Sequence, residues 1–179
     1  MRRLLLCLAA AVAVLAGCGG DETADEPLPK PPGRLVLESP AFRDGGSIPA
    51  KFSCDGEEVS PPLEWRRVPA EARELALVVE DPDADGFVHW TVLAIPTSAT
   101  RLDTGALPPG AVETENSFGA RGWGGPCPPE GDEPHRYVFA LYALRRALGL
   151  GADAEADEVR SAIADAALAR GVLTGRFGR

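Results

Sequence analysis

Apolar and polar positions fall into distinct patterns along this chain. Three short runs are apolar on both faces: Glu74 to Glu80 (ELALVVE), Phe87 to Ile95 (FVHWTVLAI) and Arg136 to Leu144 (RYVFALYAL). Such runs suit strands in the middle of a sheet that is covered on both sides. Turn residues bound them, with Asp81-Pro82-Asp83 after the first run and Pro96 after the second. Leu35-Val36-Leu37, closed by Ser39-Pro40, predicts another short strand. Pro/Gly segments lie between, among them Ser60-Pro61-Pro62, Leu107-Pro108-Pro109-Gly110 and the stretch from Gly119 to Gly131. One stretch has helical spacing: Val159, Ala162, Ile163, Ala166 and Ala167. Asp153 suits its N-cap, Glu155, Asp157 and Glu158 suit its first turn, and Gly171 suits its stop. The pattern predicts a mainly β domain with an antiparallel sheet. A single helix near the C-terminus would lay its small residues on that sheet.

The first residues follow another pattern. Arg2 and Arg3 precede an apolar run from Leu4 to Leu15, and Leu15-Ala16-Gly17-Cys18 follows. A basic start, a short apolar run and small residues make a secretory signal. The run is too short to span a bilayer, which takes about 20 residues. The order Leu-Ala-Gly-Cys looks like a bacterial lipobox. It predicts a signal peptide over residues 1–17 and a lipid on Cys18. Gly19 to Gly33 (GGDETADEPLPKPPG) has almost no apolar content, so 18–33 is expected to be a disordered tether and 34–179 the folded domain. The expected location is the extracytoplasmic face of a cell membrane, with lipid as the anchor at about 0.8 kcal/mol per buried methylene.

Charge and cysteines sharpen this picture. The 179 residues carry a formal net charge of −9, and loss of residues 1–17 removes two basic side chains and no acidic one. An acidic chain of this size suits one domain and argues against a nucleic-acid backbone as partner. The only lysines are Lys30 and Lys51, so no polybasic patch is present. With Cys7 lost and Cys18 lipidated, Cys54 and Cys127 remain. In an oxidising compartment a disulfide is the default for such a pair, with two separate buried thiols as the alternative. No Cys-x-x-Cys spacing occurs, so zinc on the cysteines is not expected, and no cofactor is expected.

The chain has two histidines. His89 lies inside an apolar run, where a polar ring needs a partner. By strand alternation it shares a face with Phe87, Thr91 and Leu93. His135 opens another run as His135-Arg136-Tyr137, so His135 and Tyr137 point the same way. A hairpin-like return after Asp81-Pro82-Asp83 would bring these acids towards His89. The loop Gly122-Trp123-Gly124-Gly125-Pro126-Cys127-Pro128-Pro129 offers exposed backbone amides. Amides and two imidazoles together suit an anion. Each feature alone is more often an ordinary core residue, turn or loop.

These pieces, in this order, resemble the phosphatidylethanolamine-binding protein family in its bacterial Raf-kinase-inhibitor-like branch. The resemblance is carried by Ser39-Pro40-Ala41-Phe42, Ile48-Pro49, Cys54-Asp55-Gly56, Ser60-Pro61-Pro62-Leu63, Trp65, Asp81-Pro82-Asp83-Ala84 and His89-Trp90. Gly125-Pro126-Cys127-Pro128-Pro129, His135-Arg136-Tyr137 and Leu173-Thr174-Gly175-Arg176-Phe177 complete it, over about residues 35–179. The resemblance implies a central antiparallel sheet with a second small sheet and a C-terminal helix. It also implies a pocket built from Asp81, His89, Gly125, Pro126, His135 and Tyr137 that takes phosphate-like groups, including a phospholipid headgroup. Asp85 departs from the family's proline at that position. The expected role is a non-enzymatic, membrane-tethered binding protein. Inhibition of an envelope hydrolase or peptidase is the alternative, phosphoester hydrolysis a weaker one, and a homodimer is compatible with either.

Overall fold

The computed structural model describes residues 28–179. The signal peptide, Cys18 and most of the expected tether lie outside the described residues. The elements are β1 (Gly33–Arg34), β2 (Val36–Glu38), β3 (Leu63–Arg66), β4 (Glu74–Asp81), β5 (Phe87–Ile95), β6 (Arg101–Leu102), β7 (Val112–Glu113), β8 (His135–Leu144), α1 (Ala156–Ala166) and β9 (Ala167–Phe177). Six strands form one sheet in the order β1-β9-β8-β4-β5-β7, and three form a second in the order β2-β3-β6. The large sheet is antiparallel except at its edge, where β1 runs parallel to β9.

Both faces of the large sheet are covered, as the apolar runs require. One face packs with the small sheet around Leu63, Trp65, Leu77, Trp90, Phe139 and Leu141. The other carries α1, whose Val159, Ile163 and Ala166 bury against Ala76, Ala140 and Tyr142. A charge also crosses this layer, where Arg160 of α1 pairs with buried Glu80 of β4. Among the described residues no helix is long and apolar enough to cross a membrane.

The C-terminal region differs from the periodicity reading. The helix ends at Ala166, and Gly171 lies inside β9 rather than at a helix stop. Burial along β9 alternates strictly, with Ala167, Ala169, Gly171, Leu173, Gly175 and Phe177 inward. Two of those inward positions are glycine because neighbours occupy their side-chain space. A Cβ on Gly171 would come within 2.4 Å of Leu35 Cδ1, and one on Gly175 within 2.4 Å of Ile48 Cγ1. At the start of α1 the N-cap is Glu155, without a side-chain cap bond, while Asp153 pairs with Arg121 instead.

The last residues of the expected tether join the fold. Leu28 is buried, Arg170 donates to the carbonyls of Leu28 and Pro29, and Gly33 opens β1. Leu28 packs with the cluster under α1, and β1 takes the edge of β9.

Candidate functional site

One end of the large sheet gathers the polar residues singled out in the sequence. β4 ends at Asp81, and a 3-10 turn over Pro82–Ala84 returns the chain to β5. Asp81 stabilises the turn by accepting from the Asp83 amide at 2.9 Å. Asp85 closes it in the left-handed region at φ 51°. A proline, with φ fixed near about −65°, cannot take that conformation, which accounts for the departure at this position.

The other oxygen of Asp81 meets His135 Nδ1 at 2.7 Å, across from β4 to the start of β8. The carboxylate is 3% exposed and the imidazole 15%, so the contact is well shielded. An imidazole facing a carboxylate donates through its Nδ1–H, which leaves Nε2 for a ligand. Next along β8, Arg136 grips Asp83 with its guanidinium (Nε to Oδ2 3.0 Å, Nη2 to Oδ1 2.5 Å) and its backbone N–H. The Arg136 hydrogen bond holds the Asp83 carboxyl down at about 2. This pair fixes the turn to the strand that carries His135.

His89 occupies a β-bulge. Val79 pairs with Trp90 and Glu80 with Val88, so His89 is the extra residue of β5. Bulges re-aim side chains and recur beside functional sites. This bulge corrects the expected alternation. Leu93 belongs to the face under α1, whereas the His89 ring meets Phe87 at 5.2 Å and Tyr137 at 5.1 Å between centroids. The His89 Nδ1 lies 2.8 Å from the Gly124 carbonyl, and the Gly124 N–H returns a bond to the His89 carbonyl at 2.9 Å. Donation to a carbonyl fixes the tautomer and again leaves Nε2. Burial pushes the His89 pKa below its usual value, against the opposing pull of the Gly124 carbonyl, the Asp81 charge and the Gly125 backbone. The neutral ring is therefore favoured.

Tyr137 is fully buried between these groups. Its hydroxyl has no hydrogen-bond partner of ordinary geometry, and burial, followed by the nearby Asp81 charge, pushes its pKa up. Asp81 is close enough to interact with this hydroxyl, and an acceptor entering the site would give it a better-aligned bond.

Gly125 and Pro126 form the wall beside His89. A Cβ on Gly125 would lie 2.7 Å from the Phe52 carbonyl oxygen, so only glycine lets the loop pack this closely. Three ties brace the wall. The Cys54 N–H donates to Pro126 O at 3.2 Å, and Trp123 Nε1–H donates to Phe52 O at 2.9 Å. The third is a disulfide between Cys54 and Cys127 with a Cα–Cα distance of 5.5 Å. Thus Asp81, His89, Gly125, Pro126, His135 and Tyr137 all come to one end of the sheet. His135 also borders an open cleft of about 490 Å³ lined by Asp83, Glu133, Pro134, Arg136 and Arg176.

Sequence reasoning passed over Asn116 and Phe118. Buried Asn116 accepts from the amides of Phe118 and Ala120 and donates to the Gly122 carbonyl, shaping the loop in front of His89. The short step Asn116-Ser117-Phe118-Gly119 was the signal available, since Asn and Gly at such spacing favour a side-chain-closed turn.

These features define a two-sheet β domain with an imidazole–carboxylate site braced by a glycine-proline wall. The chain belongs to the phosphatidylethanolamine-binding protein family, whose model matches residues 38–178. A UPF0098 protein of Methanothermobacter thermautotrophicus is 44% identical over 152 residues, covering 81% of this chain and 99% of that protein. The candidate lipoprotein LppC of Mycobacterium tuberculosis is 42% identical over 185 residues, covering 94% of this chain and 92% of that protein. The crystal structure of YbcL from Escherichia coli, described as a member of the mammalian PEBP family, superposes with a TM-score of 0.78. It is 31% identical, with 82% of this chain and 99% of that chain covered.

Proposed function

We propose that this chain is a lipid-tethered extracytoplasmic binding protein whose pocket takes a phosphate-like anion. The observation that carries this reading is the pair of imidazoles. Each commits Nδ1 to a protein acceptor at the same end of the sheet, His135 to Asp81 and His89 to Gly124, so Nε2 is the nitrogen a ligand would address. The buried Tyr137 hydroxyl, beside Asp81 but without a hydrogen bond of ordinary geometry, can add a donor. Nε2 donates once the ring is protonated, and a charge-assisted bond from such an imidazolium to an oxyanion is short and strong. The tether rests on the Leu15-Ala16-Gly17-Cys18 order and on similarity to LppC.

A binding role fits better than hydrolysis. Ser53 donates to the Ala50 carbonyl, Ser117 Oγ accepts the Val88 amide, and both nearby cysteines are in the disulfide. None of these four residues shows a hydrogen bond to a histidine of the kind a nucleophile makes. Calorimetric titration with phosphoethanolamine and inorganic phosphate at about pH 6 tests the reading. Both should bind, and His135→Ala should weaken binding by about tenfold or more, the size of a charged hydrogen bond. Equal binding by the variant would overturn it.

A further inference from the structure

The loop after β7 holds Phe118 at 52% exposure, one of two exposed large hydrophobic side chains among the described residues. A single exposed apolar residue is ordinary on a protein surface. Two observations set this one apart.

The first is that its backbone is fixed. Asn116 Oδ1 accepts from the Phe118 N–H at 2.9 Å, the Ser117 N–H donates to Val88 O at 2.9 Å, and the Val88 N–H donates to Ser117 Oγ at 3.0 Å. Phe118 is thereby pinned beside the bulge that carries His89. The second is where the ring lies. It stands edge-on to His89 at 5.5 Å and to Phe87 at 4.7 Å. It also occupies the space above Gly124, where a Cβ would come within 2.4 Å of Phe118 Cδ2. Gly124 is the residue whose carbonyl holds His89 Nδ1. An aromatic surface, half open to solvent, thus adjoins the imidazole whose Nδ1 is tied to Gly124.

We infer that Phe118 and Phe87 form an apolar subsite beside the anion pocket, so that the preferred ligand is a phosphomonoester with an apolar aryl or alkyl body. The inference rests on the anion-pocket reading and names the ligand class for it. Charge supports an apolar body over an ammonium one. Asp81 is engaged by His135 and Asp83 by Arg136, so the two carboxylates nearest the imidazoles already hold cationic partners. Aromatic contact and burial of a ring are together worth about tenfold in affinity.

The test compares inorganic phosphate, phosphoethanolamine and phenyl phosphate by calorimetry on the disulfide-bonded domain. Phenyl phosphate should bind about tenfold tighter than phosphate, and phosphoethanolamine within about threefold of phosphate. The readout for the residue is the ratio of the phenyl phosphate and phosphate constants. Phe118→Ala should collapse that ratio to about twofold, and Phe118→Leu should restore most of it. A matching thermal melt would show that the variants fold. Phosphate binding with no preference for phenyl phosphate overturns the subsite while leaving the anion pocket intact. So does a preference for phosphoethanolamine, or a ratio unchanged in Phe118→Ala. Failure of all three ligands to bind overturns both readings together.

Discussion

Burial and hydrogen bonding act on the two histidines in different ways. His89 sits in a bulge with its Nδ1–H tied to Gly124, and burial lowers its pKa. The folded state thus favours the neutral ring. The stability this contributes is present above the ordinary imidazole value of about 6.5, and it is lost as pH falls through the lowered folded value. The melting temperature should therefore drop between about pH 7 and pH 5. His89→Asn, which keeps a donor for Gly124 but does not titrate, should flatten that slope. An equally steep slope in the variant would place its origin elsewhere. An oxyanion at His89 Nε2 has the opposite linkage, because that nitrogen must carry a proton to donate. Sulfate, whose charge is constant over this range, should stabilise the protein more at about pH 5.5 than at about pH 8. Differential scanning fluorimetry across pH, with and without sulfate, reads both effects.

At the scale of elements, β4, β5 and β8 were legible because their apolar runs are covered on both faces. Their observed bounds differ from the sequence pattern by a residue at most. β9 was not legible, because glycine stands at two inward positions and breaks the apolar alternation that marks a strand. The neighbours that fill those gaps, Leu35 and Ile48, come from distant parts of the chain. The bulge at His89 was equally hidden, since nothing in Val88-His89-Trp90 announces an extra residue. The site residues were legible chiefly through family resemblance, and spacing alone supplied only the pairing of His135 with Tyr137. Gly175→Val should destabilise the domain by about 1–3 kcal/mol in denaturant melts, as overpacking does. An unchanged midpoint would show that Ile48 can yield. The disulfide closes a separation of 73 residues, and chain entropy gives it a worth of about 4 kcal/mol. Its reduction should lower the denaturation midpoint. It should also weaken anion binding, because Cys127 adjoins the Gly125-Pro126 wall. Unchanged anion affinity after full reduction would show that the wall stands on Trp123 and the Pro126 carbonyl alone.

Across the whole molecule, the described fold begins where Leu28 docks under the edge of the sheet, at the Arg170 end of β9. The pocket lies towards the other end, since Phe177 pairs with His135. Seven residue steps of strand lead from Arg170 to Phe177, about 23 Å at the usual rise. A tethered domain would thus present its pocket away from the point where the chain leaves for the membrane. Metabolic labelling with a palmitate analogue in a bacterial host should mark the full chain, and Cys18→Ser should remove both label and membrane fractionation. Persistent labelling of Cys18→Ser would contradict a lipid at that cysteine.

The central claim is that two imidazoles at one end of the sheet hold an oxyanion, and the presence of only two histidines makes it directly observable. Imidazole nitrogen NMR signals followed through a phosphate titration at about pH 6 should show both Nε2 resonances moving saturably, with one shared midpoint. Nε2 signals that stay fixed, or that drift without saturation, would contradict it.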